Sequence, residues 1–68
     1  MTDDAAMLLV RIRALRDPRY TDAYNLIGNH PRALAAVTEL AELGHIIHRD
    51  NGRLDYLGPA IVHNRETA

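Results

Sequence analysis

The order of local signals predicts a small, mainly α-helical domain of the α+β class: three helices, then a β-hairpin of two strands. Three observations carry this. Between Thr21 and Leu57 lie two segments with helical apolar spacing, each closed by a glycine, Gly28 or Gly44. After the second, Asp50-Asn51-Gly52 joins two short runs rich in Ile, Leu and Tyr, and Asn-Gly is the strongest short hairpin signal. Ahead of both, Ala5, Leu8, Leu9, Ile12 and Leu15 recur at the spacing of one helix face.

The first helix is expected over about Asp4–Arg16. Thr2 or Asp3 caps it, and Asp3 and Asp4 complement the positive end of the helix dipole, as Arg13 and Arg16 do the negative end. A second apolar strip, Met7, Val10 and Ala14, has two readings: partial cover by the C-terminal tail, or the contact of a homodimer. Asp17-Pro18 ends the helix, because a residue before proline is pushed out of the helical region. Arg19-Tyr20 is then an extended link.

Thr21 is expected to cap the second helix, with Ala23, Leu26 and Ile27 inward and Gly28 at its end. The third helix, 30–43, places Pro31 at the first helical position and therefore His30 at the cap. Leu34, Val37, Leu40 and Leu43 form its core stripe at spacing three, with Ala33, Ala36 and Ala41 keeping neighbouring positions small. The strands are expected over His45–Arg49 and Arg53–Leu57. With Asn51-Gly52 as a two-residue loop, Asp50 would face Arg53 and His48 would face Asp55. Gly58-Pro59 stops the second strand. One domain over 1–62 and a flexible tail over 63–68 are expected.

Composition narrows the function. A chain of 68 residues makes one domain and buries only roughly 60% of its unfolded surface. With no cysteine there is no disulfide staple and no thiolate metal site; with no serine either, the two commonest covalent nucleophiles are missing. No Gly-rich phosphate loop exists among the four isolated glycines. The chain is therefore expected to be no enzyme and to need no cofactor. Three Tyr, no Trp and no Phe argue against a stacking platform for single strands. The net charge of −1 does not by itself call for a polyanion, although all eight basic residues are Arg. Met7-Leu8-Leu9-Val10 is too short for a membrane span and follows two acids, so a cytoplasmic chain is expected.

Thr21-x-x-x-x-Leu26-Ile27-Gly28, the four-residue turn into the third helix, Leu40-Ala41-Glu42-Leu43-Gly44-His45-Ile46 and Arg49-Asp50-Asn51-Gly52-Arg53 together resemble the winged helix-turn-helix domains of small bacterial and phage transcription regulators. The likeness covers nearly the whole chain once the first helix is included. It implies three helices and a two- or three-stranded β-wing, the link at Arg19-Tyr20 being the usual place of the third strand. It also implies a repressor-like regulator of phage or mobile-element type. Such a protein binds double-stranded DNA as a homodimer, with its third helix in the major groove.

Carried over to this sequence, the reading positions are His30, Arg32, Ala35, Ala36 and Glu39. Arg32 is the one strong base-edge donor, suited to a bidentate contact with guanine. Arg49, Asn51 and Arg53 would lie on the backbone or in the minor groove, and Arg19 on the backbone. The dimer contact would be Met7, Val10 and Ala14. The third helix is poor in donors for this role, so the alternative is a non-enzymatic protein-interaction module, such as a phage-type inhibitor or adaptor that binds a larger host protein. The outward Ala35, Thr38 and Glu42 suit such a partner.

Sharper chemical readings have plainer rivals. His45-Ile46-Ile47-His48 has a metal-like spacing, but residues three apart on a strand face opposite sides. A sensor built on His30, His45, His48 and His63 is a distant third function. His48 with Asp55 reads as a cross-strand contact rather than a catalytic dyad. Arg11, Arg13 and Arg16 read as a solvated helix face more readily than as a phosphate clamp.

Overall fold

A computed structural model describes residues 1–58. The expected tail over 63–68, His63 and the boundary at 62 lie outside the described residues. The order is α1 (Asp3–Ala14), α2 (Tyr20–Ile27), α3 (His30–Glu42), β1 (Ile46–His48) and β2 (Leu54–Tyr56). The two strands form an antiparallel sheet, so the chain is α+β with three helices among the described residues. α1 and α2 both pack on α3, and the sheet closes against α1 and α3. No described helix is long and apolar enough to cross a membrane.

α1 starts as expected: the Thr2 hydroxyl accepts from the Ala5 amide at 3.2 Å. It ends at Ala14, two residues short of the expected Arg16. The cause is tertiary. The Pro18 carbonyl accepts from the Leu54 amide at 2.9 Å, and the Tyr20 amide donates to the Gly52 carbonyl at 2.8 Å. The chain must already be extended there to pair with β2, and Arg19 forms a single antiparallel bridge with Arg53. A third strand is not formed there: among the described residues the sheet has two strands, and Arg19 adds only that isolated bridge.

The cap of α2 is Arg19, not Thr21, and Tyr20 is the first helical residue. The Asp22 carboxylate accepts from the Arg19 amide at 2.8 Å, which satisfies an orphan donor before Thr21 could act. Gly28 closes α2 at φ +74, a left-handed conformation that costs glycine nothing. α3 is capped by Asn29, not His30: the Asn29 side-chain carbonyl accepts from the Arg32 amide at 3.0 Å. A short amide oxygen reaches that donor better than an imidazole does. Pro31 remains in the first turn.

The buried side of α3 is Ala33, Ala36, Val37 and Leu40. Leu34 and Leu43, expected in the core, are 42% and 54% exposed. A strict spacing of three winds round a helix of 3.6 residues per turn, whereas spacings of three and four together hold one face. Against α3 pack Ala5, Leu8 and Ile12 of α1, Ala23 of α2, and Ile46 and Leu54 of the sheet. Leu9, Leu26 and Ile27 are half-buried at the edge of this cluster.

The hairpin register differs by one residue from the expectation. Ile46 pairs with Tyr56, Ile47 with Asp55 and His48 with Leu54. The Arg49 amide donates to the Arg53 carbonyl at 2.8 Å, and the Arg49 carbonyl accepts from the Gly52 amide at 3.0 Å. The loop is therefore Asp50-Asn51-Gly52, a turn followed by a residue at φ +91, the usual three-residue hairpin connection. Asp50 does not face Arg53, and His48 does not face Asp55. The expected register would have turned Asp55 to the same face as Ile46. The observed one puts Ile46 and Leu54 in the core and Asp55 outside, since a slip of one residue exchanges the two faces.

Candidate nucleic-acid interface

The hairpin's outer face carries arginines from three adjacent backbone segments. Arg19, Arg53 and Arg49 follow one another across the sheet through the Arg19–Arg53 bridge and the Arg49–Arg53 hydrogen bond. Two carboxylates sit between them. Asp17 pairs with Arg19 at 3.1 Å and with Arg53 at 3.4 Å. Asp55 pairs with Arg49 at 2.7 Å and with Arg53 at 3.2 Å. The hydrogen bond from Arg49, aided by the charges of both arginines, holds the Asp55 carboxyl below its ordinary value. Asn51, at the loop tip, accepts from the Arg53 amide at 3.0 Å, so its side chain shapes the turn. The structure thus brings Arg19, Arg49, Asn51 and Arg53 together on and beside the hairpin.

The positions expected on the third helix separate. Ala36 is buried at 2% exposure, so it cannot meet a base edge; it lies on the core face with Ala33, Val37 and Leu40. Arg32 and Glu39, seven residues apart, share a flank that faces α1. Arg32 makes a forked contact with Asp4 through Nε at 3.0 Å and Nη2 at 2.7 Å. That hydrogen bond lowers the Asp4 pKa and raises that of Arg32. Glu39 accepts from the Thr2 hydroxyl at 2.8 Å and from the Thr2 amide at 3.0 Å, and the hydroxyl bond is the main cause of its lowered pKa. The two polar residues nearest the expected reading face therefore clasp the first turn of α1.

What α3 presents to solvent is a shallow groove along Pro31, Leu34, Ala35, Thr38 and Glu42. Glu39 lines it too, so among the described residues it offers a hydroxyl and two carboxylates but no cation. His30 turns the other way, toward Tyr20. The Tyr20 hydroxyl lies 2.7 Å from His30 Nδ1, the direction of the bond following the imidazole tautomer, and donates to the His30 carbonyl at 3.2 Å. The Tyr20 ring also stacks on His48, with centroids 6.0 Å apart and planes 15° from parallel. This column ties the start of α3 to β1 through α2, and the sequence gives no sign of it. Its members lie 10 and 28 positions from Tyr20, and no local spacing brings them together. Among the described residues no group of three or more His, Cys, Asp or Glu could share a metal ion.

Along α1, Met7 is 48% and Val10 66% exposed, and Ala14 is exposed as well. The expected dimer strip is therefore available on the described surface. The chain matches no protein-family model, no curated protein and no solved structure.

Proposed function

We propose that the chain is a non-enzymatic DNA-binding regulator of winged helix-turn-helix type, with the hairpin as its wing. The single observation behind this reading is the row Arg19–Arg53–Arg49 across the outer face of the hairpin. Its guanidinium groups are about half exposed, and Asp17 and Asp55 hold them in place. Exposed ion pairs contribute little to folding and exchange partners readily. Phosphates can therefore replace the carboxylates, and forked guanidinium–phosphate contacts are among the stronger charge-assisted hydrogen bonds. On this reading the wing supplies most of the affinity. Arg32 reads a base only after leaving Asp4, and Ala35 and Thr38 meet base edges directly. A second copy, joined through Met7, Val10 and Ala14, would double the phosphate contacts.

The test is a titration with random and then selected duplexes across a range of salt. Arg53→Ala should weaken binding to every sequence and reduce the magnitude of the salt slope by about 1. Arg32→Ala should loosen base preference and leave that slope nearly unchanged. Binding that does not change with salt would remove the DNA reading.

One observation favours a second reading, a protein-interaction module. The outer groove of α3 is apolar at Pro31, Leu34 and Ala35 and acidic at Glu39 and Glu42, a surface better matched to a partner protein than to a phosphate backbone. A charge placed at Ala35 would abolish such docking while leaving the wing arginines untouched.

A further inference from the structure

Two arginines near the end of α1 take no part in the ion pairs described above. Arg13 and Arg16 have no carboxylate within ion-pair distance among the described residues. Both line a cleft of about 300 Å³ between the C-terminal turn of α1 and β2, and Arg53 of the hairpin lines its other side. Three arginines and one carboxylate, Asp55, thus line the cleft together with Leu15, Pro18 and Tyr56, and of the three only Arg53 is paired with Asp55. Asp17 reaches Arg53 from outside the lining. The plainer role of Arg13 and Arg16 is to complement the carbonyl end of α1. That role requires neither that they share a cleft nor that the cleft hold a third cation from a different element.

We infer that this cleft binds a phosphate group, held by Arg13, Arg16 and Arg53, and that its occupant is a backbone phosphate of duplex DNA. A phosphate suits the lining because its oxygens accept guanidinium forks from several sides at once. Arg53 is also a member of the exposed row Arg19–Arg53–Arg49, so a nucleic-acid strand lying on the hairpin passes the mouth of the cleft. The site extends the contact surface onto α1, away from α3. Its occupant rests on the DNA reading, but its capacity for phosphate does not.

The experiment is a backbone-amide NMR titration of the full chain with inorganic phosphate at constant ionic strength, followed by a short random duplex. Phosphate should give saturable shifts at Arg13, Arg16 and Arg53. The double variant Arg13→Ala/Arg16→Ala should abolish them, while Arg11→Ala, which removes a charge from the same helix outside the cleft, should keep them. Because Arg13 and Arg16 are exposed at a helix end, a variant with lysine at both positions guards against loss of fold. It keeps the helix-end charge and should bind phosphate more weakly than the native pair. The double alanine variant should also flatten the salt dependence of duplex binding, by about 1 for each phosphate it leaves unneutralised.

No phosphate shifts, or shifts that survive the double variant, would overturn the site. A phosphate response without any duplex response would overturn the assigned occupant and the DNA reading together, leaving a free-phosphate site. A duplex response unaffected by the double variant would overturn the cleft's part in binding while the DNA reading stands.

Discussion

On the outer face of α3 a partner meets Pro31, Ala35, Thr38 and Glu42; on the outer face of the hairpin it meets Arg19, Arg49 and Arg53. The two surfaces stand on the same core, yet they differ in how their charges are used. The cation nearest the α3 face, Arg32, is committed to α1 through Asp4, and Glu39 is committed to Thr2. The hairpin's arginines are committed only to the carboxylates they share, Asp17 and Asp55, within a solvent-facing network. The element expected to read DNA is thus the one whose charges are paired across two helices, with the Arg32 side chain still 59% exposed.

The contrast between the two surfaces is most severely tested from beneath. Leu54 is fully buried under the hairpin, so Leu54→Ala should cost about 2–5 kcal/mol of folding free energy, much of the stability of so small a domain. Leu34→Ala, on the exposed groove of α3, should cost less than about 1 kcal/mol, as surface changes do. Urea unfolding of both variants checks this. Equal losses would mean that Leu34 is covered in solution, as a partner copy on α3 would require.

Next in size is the response of α3 to an added cation. Ala35→Arg places a guanidinium at the centre of the outer groove. If α3 enters the major groove, duplex affinity should rise several-fold and the salt slope should steepen by about 1. Unchanged affinity, measured by fluorescence anisotropy, would leave the hairpin side as the nucleic-acid surface and α3 outside it.

The smallest expected effect is that of acid. Asp4, Glu39 and Asp55 all have folded pKa values below their ordinary ones. Each contributes stability that is fully present above the ordinary carboxylate value and is lost as pH falls through the lowered folded value. Two of the three join α1 to α3 and the third lies on the hairpin, so acid should weaken both the start of α1 and the hairpin network. The urea midpoint should fall as pH drops below the ordinary carboxylate range, and Asp4→Asn should reduce that dependence. A midpoint insensitive to pH would show that the clasp does not contribute to folding.

The number, kind and order of the elements were legible in the residues alone, because these follow from contacts within a few positions. Thr2, Gly28, Gly44 and Asn51-Gly52 punctuate the chain whatever it packs against, and Ala5, Leu8 and Ile12 mark the inner face of α1 by periodicity. The grouping of Arg19, Arg49, Asn51 and Arg53 was expected from the resemblance to winged domains, with only the hairpin itself marked locally by Asn51-Gly52. Tertiary structure decided the rest. Pairing of Pro18 and Tyr20 with the hairpin ended α1 early. Burial of Ile46 and Leu54 selected the register that turned Asp55 outward. Packing of α3 against α1 and α2 buried Ala36, exposed Leu34 and drew Arg32 to Asp4, across 28 positions of sequence. A helix carries its face pattern in its own spacing, but which flank meets a neighbour, and which charge that neighbour brings, is fixed only when the chain closes on itself.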